Sequence, residues 1–258
     1  MPETALQGVG VLVTRPRTQA AELVAAIEKE GGTTYCFPVI DIAALDETVV
    51  SAAASRLPKP DIVIFISRNA VEYGLQYTAG SRIAVIGPAT ADAVAAAGHI
   101  VDIQPASGYD SEHLLCEAEL QTVVGKEIRI IRGDTGRELL AKELTERGAN
   151  VSYLSVYQRR IPTADPEALA SLEASWRQGD ISIITVMSVQ SLHNLMTLLP
   201  DWCRQQLETT PLVTPSGRVL KEALDLYPAS RPVLAAGPQA HSMVQAVIAL
   251  HKTDPGRE

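Results

Sequence analysis

The residues best suited to chemistry recur as short polar clusters behind apolar runs. Thr14-Arg15 follows Val11 to Val13, and Ser67-Arg68-Asn69 follows Ile62 to Ile66. Gly87-Pro88-Ala89-Thr90 follows Ile83 to Ile86, and Arg132-Gly133-Asp134 follows Ile128 to Ile131. Ser188, Pro215-Ser216-Gly217 and Gly237-Pro238 end three later runs in the same way. Glycine lets a ligand approach the backbone, and hydroxyls and guanidinium forks bind oxygen anions. The same residue types also cap helices, so any one cluster is explained by capping alone. Their recurrence points to an anionic ligand held by several of them. Tyr157, in Val156-Tyr157-Gln158-Arg159-Arg160, adds a phenol that is a neutral donor at pH 7, its ordinary pKa being ~10. It reads equally as an aromatic wedge.

Other chemistries find no support. Gly8-x-Gly10 precedes a strand instead of following one, and neither a G-x-x-x-x-G-K-[ST] loop nor a G-x-S-x-G elbow occurs. His99, His113, His193, His241 and His251 have no ligand spacing and read as surface or cap residues. Only His241, in the first turn of the last helix, falls near the expected ligand. Cys36, Cys116 and Cys203 are scattered with no C-x-x-C, which predicts reduced thiols and neither a zinc site nor a disulfide frame. A net charge of -8 argues against a nucleic-acid binder, which needs a basic face. It leaves room for a small anion met by local arginines and helix N-termini. No apolar run reaches the ~18–20 residues of a membrane span, and Met1 to Gly10 lacks a secretory signal's regions. A cytoplasmic protein is the expectation.

The elements that carry these clusters alternate strand and helix. Ala20, Leu23, Val24 and Ile27 share one helical face, Gly31-Gly32 stops that helix, and Thr34 to Ile40 resumes as a strand. Strands are then expected at 62–66, 83–86, 100–103, 128–131 and 151–156, with helices between them. A third stretch gives a helix over 166–176, strands at 181–186, 212–214 and 233–236, and helices after Ser188, after Gly217 and over 244–250. Leu220, Ala223, Leu224 and Tyr227 fall in phase on one of these. The residues from Lys252 onward read as a frayed tail.

Two strands in the first unit and three in the last make one sheet of five, equal to the middle one. The sequence therefore predicts an α/β protein of two doubly wound, flavodoxin-like parallel-sheet domains, one inserted in the other. The outer domain comprises residues 1–37 plus 163–258, and the inserted domain 50–155. Two extended connectors cover about 38–49 and 156–162, with prolines at 38, 162 and 166. The ligand is expected in the cleft between the two. Val11 to Phe37 resembles Ile128 to Tyr153, and Ile86-Gly87-Pro88 resembles Ala236-Gly237-Pro238, as duplication would produce.

Taken in order, Leu12-Val13-Thr14-Arg15-Pro16, Ile66-Ser67-Arg68-Asn69-Ala70-Val71 and Ile86-Gly87-Pro88-Ala89-Thr90-Ala91 resemble the uroporphyrinogen-III synthase family. Arg132-Gly133-Asp134-Thr135-Gly136-Arg137 and Val156-Tyr157-Gln158-Arg159 continue the resemblance, which covers nearly the whole chain. The resemblance implies closure of linear hydroxymethylbilane to uroporphyrinogen III, with inversion of ring D through a spiro intermediate and loss of water. It implies no cofactor, a polycarboxylate substrate, a monomer, and a transient contact with hydroxymethylbilane synthase. Spontaneous closure gives the uninverted isomer I, so the protein's share is mainly orientation.

By the family pattern Tyr157 assists departure of the hydroxyl, Thr90 is a functional threonine and Ser188 a pocket serine. Thr14, Arg15, Ser67, Arg68, Asn69, Gly87, Arg132 and Gly237 complete the expected substrate contacts. The chain departs from the pattern at Gln239-Ala240-His241, where a threonine is usual, and at Val189-Gln190-Ser191, where a proline turn is common. His241 is a candidate replacement contact. Two rival readings compete: a non-catalytic two-domain binder of an anionic metabolite, and a degenerate homologue.

Overall fold

A computed structural model describes residues 4–78, 80–136 and 138–253. Arg137 and the tail beyond Thr253 lie outside the described residues. The chain divides into two units, Met1–Asp41 with Arg160–Glu258, and Ile42–Arg159. Along the sequence run β1 (Gly10–Val13), α1 (Arg17–Lys29), β2 (Thr33–Cys36), β3 (Asp41–Ala44), α2 (Glu47–Ser55), β4 (Ile62–Phe65) and α3 (Arg68–Gly74). Next come β5 (Arg82–Val85), α4 (Pro88–Ala96), α5 (Ser111–Leu114), β6 (Glu127–Gly133), α6 (Leu139–Glu146) and β7 (Asn150–Arg160). The last series is α7 (Pro166–Arg177), β8 (Ile183–Thr185), α8 (Val189–Leu198), α9 (Asp201–Gln206), β9 (Leu212–Thr214), α10 (Gly217–Leu226), β10 (Val233–Leu234) and α11 (Ala240–Lys252).

The central strands are apolar without alternation because both faces of each sheet are covered. All four residues of β1 and of β4 are buried. Within β1, Val11 and Val13 enter a core with α1 and α11, while Leu12 enters the core on the other face. In the second unit Ile62 and Ile64 face one core, and Val63 and Phe65 the other. Helix α1 buries Ala20, Leu23 and Ile27, and leaves through Gly31 at φ 85°. Gly148 ends the α6 turn at the same φ, a left-handed exit that costs glycine no Cβ clash.

The first sheet has the order β10-β9-β8-β1-β2 and the second β3-β7-β6-β4-β5. The pairings of β1 with β2 and β8, and of β4 with β5 and β6, are all parallel. The first order is the flavodoxin-like 2-1-3-4-5, and in the second sheet β5-β4-β6-β7 repeats its 2-1-3-4 part, with β3 added beside β7.

Three expectations are corrected. Residues 100–103 do not form the fifth strand of the second unit: Ile103 alone bridges Ala84, and Ile100 is 81% exposed. The fifth strand is Asp41–Ala44 at the opposite edge, beside β7 and inside the stretch expected as a connector, and Glu47 already begins α2. The Asp46 carboxylate starts that helix by accepting the Thr48 and Val49 N–H groups. On α10 the buried residues are Val219 and Ala223, while Leu224 is 46% exposed.

The internal matches also shift. Topologically β1-α1-β2 corresponds to β4-α3-β5, not to β6-α6-β7, and β5 does not correspond to β10. The local likeness reflects recurring strand-to-helix chemistry.

Candidate functional site

A doubly wound sheet opens where the chain leaves one strand in one direction and continues on its other side. These switch points fall between β1 and β8 in the first unit and between β4 and β6 in the second. The loops behind those strands carry Thr14-Arg15, Ser188 and Ser67-Arg68-Asn69, and Arg132 stands near the end of β6. Gly87 and Thr90 follow β5, and Gly237 follows β10, one or more strands from the switch points.

In the first unit several of these groups are engaged within the fold. Thr14 is 1% exposed, and its hydroxyl donates to the Thr185 carbonyl at 2.7 Å, tying β1 to β8. Arg15 reaches across to the loop after β10, where Nη2 donates to the Pro238 carbonyl at 2.5 Å. Gly237 thus sits beside a loop tied to Thr14-Arg15. Ser188 caps α8, accepting the Ser191 N–H at 3.1 Å with its hydroxyl 2.8 Å from that of Ser191. His241 is exposed in the first turn of α11.

The second unit gathers its polar groups more closely. Ser67 caps α3 by accepting the Ala70 N–H at 3.1 Å, and its Oγ lies 3.2 Å from the Tyr157 hydroxyl. Tyr157 stands inside β7, not at its end, and is only 1% exposed. Its ring lies over Gly133, where an added Cβ would come within 2.7 Å of the ring, and its centroid is 6.2 Å from that of Tyr73. The ladder shifts register between Arg132 and Gly133, so that Gly133 stands opposite Tyr157. Arg68 is exposed, whereas Asn69, Gly87 and Thr90 are buried, Thr90 in the first turn of α4.

Arg132 is the buried cation of this group. Its Nη1 donates to Glu138 at 3.0 Å, its Nε to the Gly133 carbonyl at 3.3 Å, and its guanidinium stacks 4.3 Å from the Tyr153 ring centroid. Tyr153 donates to the second oxygen of Glu138 at 2.7 Å. Those two bonds hold the Glu138 carboxyl below its ordinary range. Burial, then Glu138, push the Tyr153 phenol up to about 12. Glu138 and Tyr153 were not among the expected site residues. The sequence signal was the spacing of Arg132 and Glu138, which brackets the loop between β6 and α6.

Among the described residues no group of three His, Cys, Asp or Glu side chains could hold a metal. No described helix is long and apolar enough to cross a membrane.

Fold and site together define a two-unit, doubly wound α/β protein whose switch-point loops carry hydroxyls and arginines. The family model for "Uroporphyrinogen-III synthase HemD" matches residues 21–245. The uroporphyrinogen-III synthase of Salmonella typhimurium is 31% identical over 206 residues, 76% of this chain and 82% of that protein. The Escherichia coli synthase is 31% identical over 228 residues, 84% and 92% of the two chains. The chain belongs to the uroporphyrinogen-III synthase family. Solved structures agree on the fold. The Helicobacter pylori uroporphyrinogen-III synthetase aligns with a TM-score of 0.60 at 13% identity, covering 94% of this chain and 99% of that one. A mutant Thermus thermophilus enzyme gives 0.53 at 21%, covering 95% and 99%.

Proposed function

We propose that the protein is a uroporphyrinogen-III synthase, which closes hydroxymethylbilane to uroporphyrinogen III with inversion of ring D and loss of water. The observation that carries this reading is the family match over residues 21–245, with relatives 31% identical across most of both chains. Electrons for departure of the hydroxyl come from the substrate's own pyrrole. The protein therefore has two tasks: to orient a flexible polycarboxylate for attack by the substituted pyrrole carbon, and to assist the leaving oxygen.

In this reading Tyr157 donates to the leaving hydroxyl. The Ser67 oxygen is already fixed by the Ala70 N–H, so its own proton can be directed at the Tyr157 oxygen, leaving the phenol proton for the substrate. Tyr157 is surrounded by apolar side chains, a setting in which an oriented donor acts strongly. The role requires its hydroxyl to become accessible as substrate enters. Thr14, Arg15, Ser67, Arg68, Asn69, Gly87, Thr90, Arg132, Ser188 and Gly237 are the proposed substrate contacts. The reading carries with it a cytoplasmic monomer that takes its unstable substrate from hydroxymethylbilane synthase.

Freshly made hydroxymethylbilane, with the isomers resolved by chromatography after oxidation, tests the activity. The wild type is expected to give isomer III. Accumulation of isomer I alone overturns the synthase reading in favour of a binder or a degenerate homologue. Tyr157→Phe should lower kcat by about tenfold, less than the 10²–10³ typical for a lost oxyanion donor, because the pyrrole drives ionisation. Full turnover in that variant would remove Tyr157 from this role.

A further inference from the structure

The second unit contains a cavity of about 290 Å³ beyond the carboxyl ends of β4, β5 and β6, spanning the switch point of its sheet. Its walls are Ile66, Ile86, Ile130 and Leu140, with Tyr109 and Ser111 beside them and Arg132 as the cation. Asp110 also lines the cavity, and its Oδ1 accepts the His113 N–H at 2.8 Å and lies 2.6 Å from His113 Nδ1.

Arg132 is held in a fixed plane. Its side chain is 9% exposed, while that of Glu138, its carboxylate partner, is 69% exposed. The Tyr153 ring covers one face of the guanidinium, and the Tyr153 hydroxyl fixes Glu138 in turn. Glu138 and the Gly133 carbonyl take the Nη1 and Nε donors. A guanidinium carries five N–H groups in a rigid fork, so these bonds leave it able to bind a second carboxylate. Aliphatic walls around a buried cation select a short apolar stem that ends in a negative charge.

We propose that this cavity is a subsite for one carboxylate-bearing aliphatic arm of the bilane. Arg132 anchors the carboxylate, the isoleucine and leucine walls take the stem, and Tyr153 and Glu138 position Arg132. The proposal rests on the synthase reading above, since it assigns one arm of that substrate.

The test is steady-state turnover of hydroxymethylbilane with isomer analysis on wild type, Arg132→Met and Ile86→Phe, each first checked for a cooperative thermal transition. Arg132→Met removes the anchor, and Ile86→Phe fills the cavity without touching any charge. Both should raise KM, Arg132→Met by about tenfold, with a much smaller change in kcat, the pattern of lost uniform binding. Arg132→Lys should fall between, because it keeps the charge and loses the fork. Ile86→Phe keeps the proposal testable if Arg132→Met fails to fold. If the wild type forms isomer III and the folded variants keep its KM, the subsite is wrong and the synthase reading stands. If the wild type yields only isomer I, the synthase reading fails and the subsite fails with it.

Discussion

At the scale of single residues, the second unit shows how much arrangement two polar side chains require. Tyr157 can lie flat only because residue 133 has no side chain. Gly133→Ala would bring a methyl within 2.7 Å of the ring. Overpacking of that kind costs about 1–3 kcal/mol. We expect Gly133→Ala to lower the unfolding midpoint and also to reduce kcat, because the phenol is displaced from Ser67. A variant with full kcat would show that the 3.2 Å contact is not needed for turnover. The Arg132–Glu138–Tyr153 triangle makes a separate prediction. Glu138 is depressed by the Tyr153 hydroxyl first and by Arg132 second. Its contribution to stability is therefore present above the ordinary glutamate pKa and is lost as pH falls through the depressed folded value. Tyr153→Phe keeps the ring over Arg132 and removes the bond, so Glu138 should titrate at higher pH. Carboxyl-carbon NMR titration of the two proteins would measure that shift, and an unmoved Glu138 would contradict it.

At the scale of elements, helix starts follow local chemistry more than hydrophobic pattern. Ser67, Ser188, Asp110 and Asp165 each cap a helix through a side-chain oxygen, as their position before helical runs suggests. Asp46 does the same for α2, in a stretch expected as a connector. The Thr48 and Val49 bonds hold its carboxyl below the ordinary range. Asp46→Ala should lower the thermal midpoint at neutral pH by about 2–4 °C, the usual scale of a lost cap in a chain of this size. The difference from wild type should shrink as pH falls through the depressed folded value, since the ionised carboxylate is the stronger acceptor. Calorimetry of both proteins across acidic pH would reveal a gap that fails to close.

At the scale of the whole molecule, the nested order has a simple physical condition: the inserted unit must begin and end at neighbouring points. Strand β3, where the chain enters it, lies next to β7, where the chain leaves. Arg160 and Asp41, flanking the two crossings, are bonded at 2.8 Å. The second unit has a core on each face of its own sheet. Residues 42–159 expressed alone should therefore unfold in a single cooperative transition, as expected of a domain with its own core. A broad, non-cooperative melt with loss of near-ultraviolet circular dichroism would mean that this sheet depends on the rest of the chain.

The class of fold and the loops that carry polar groups were legible in the sequence. Each of these rests on local pattern: apolar runs long enough for a buried strand, helical faces, and glycine or hydroxyl residues at the joins. The sequence also carried enough ordered motif, from Thr14-Arg15 to Tyr157, to resemble one family. Which strand completes the second sheet followed from long-range pairing alone. Residues 100–103 and 41–44 are both short apolar stretches, and pairing with a distant partner, β7, distinguishes them. The fold alone put the Tyr157 hydroxyl against Ser67, 90 residues away, and closed Glu138 and Tyr153 around Arg132. Contacts of that range follow from strand order and register, which no local spacing encodes.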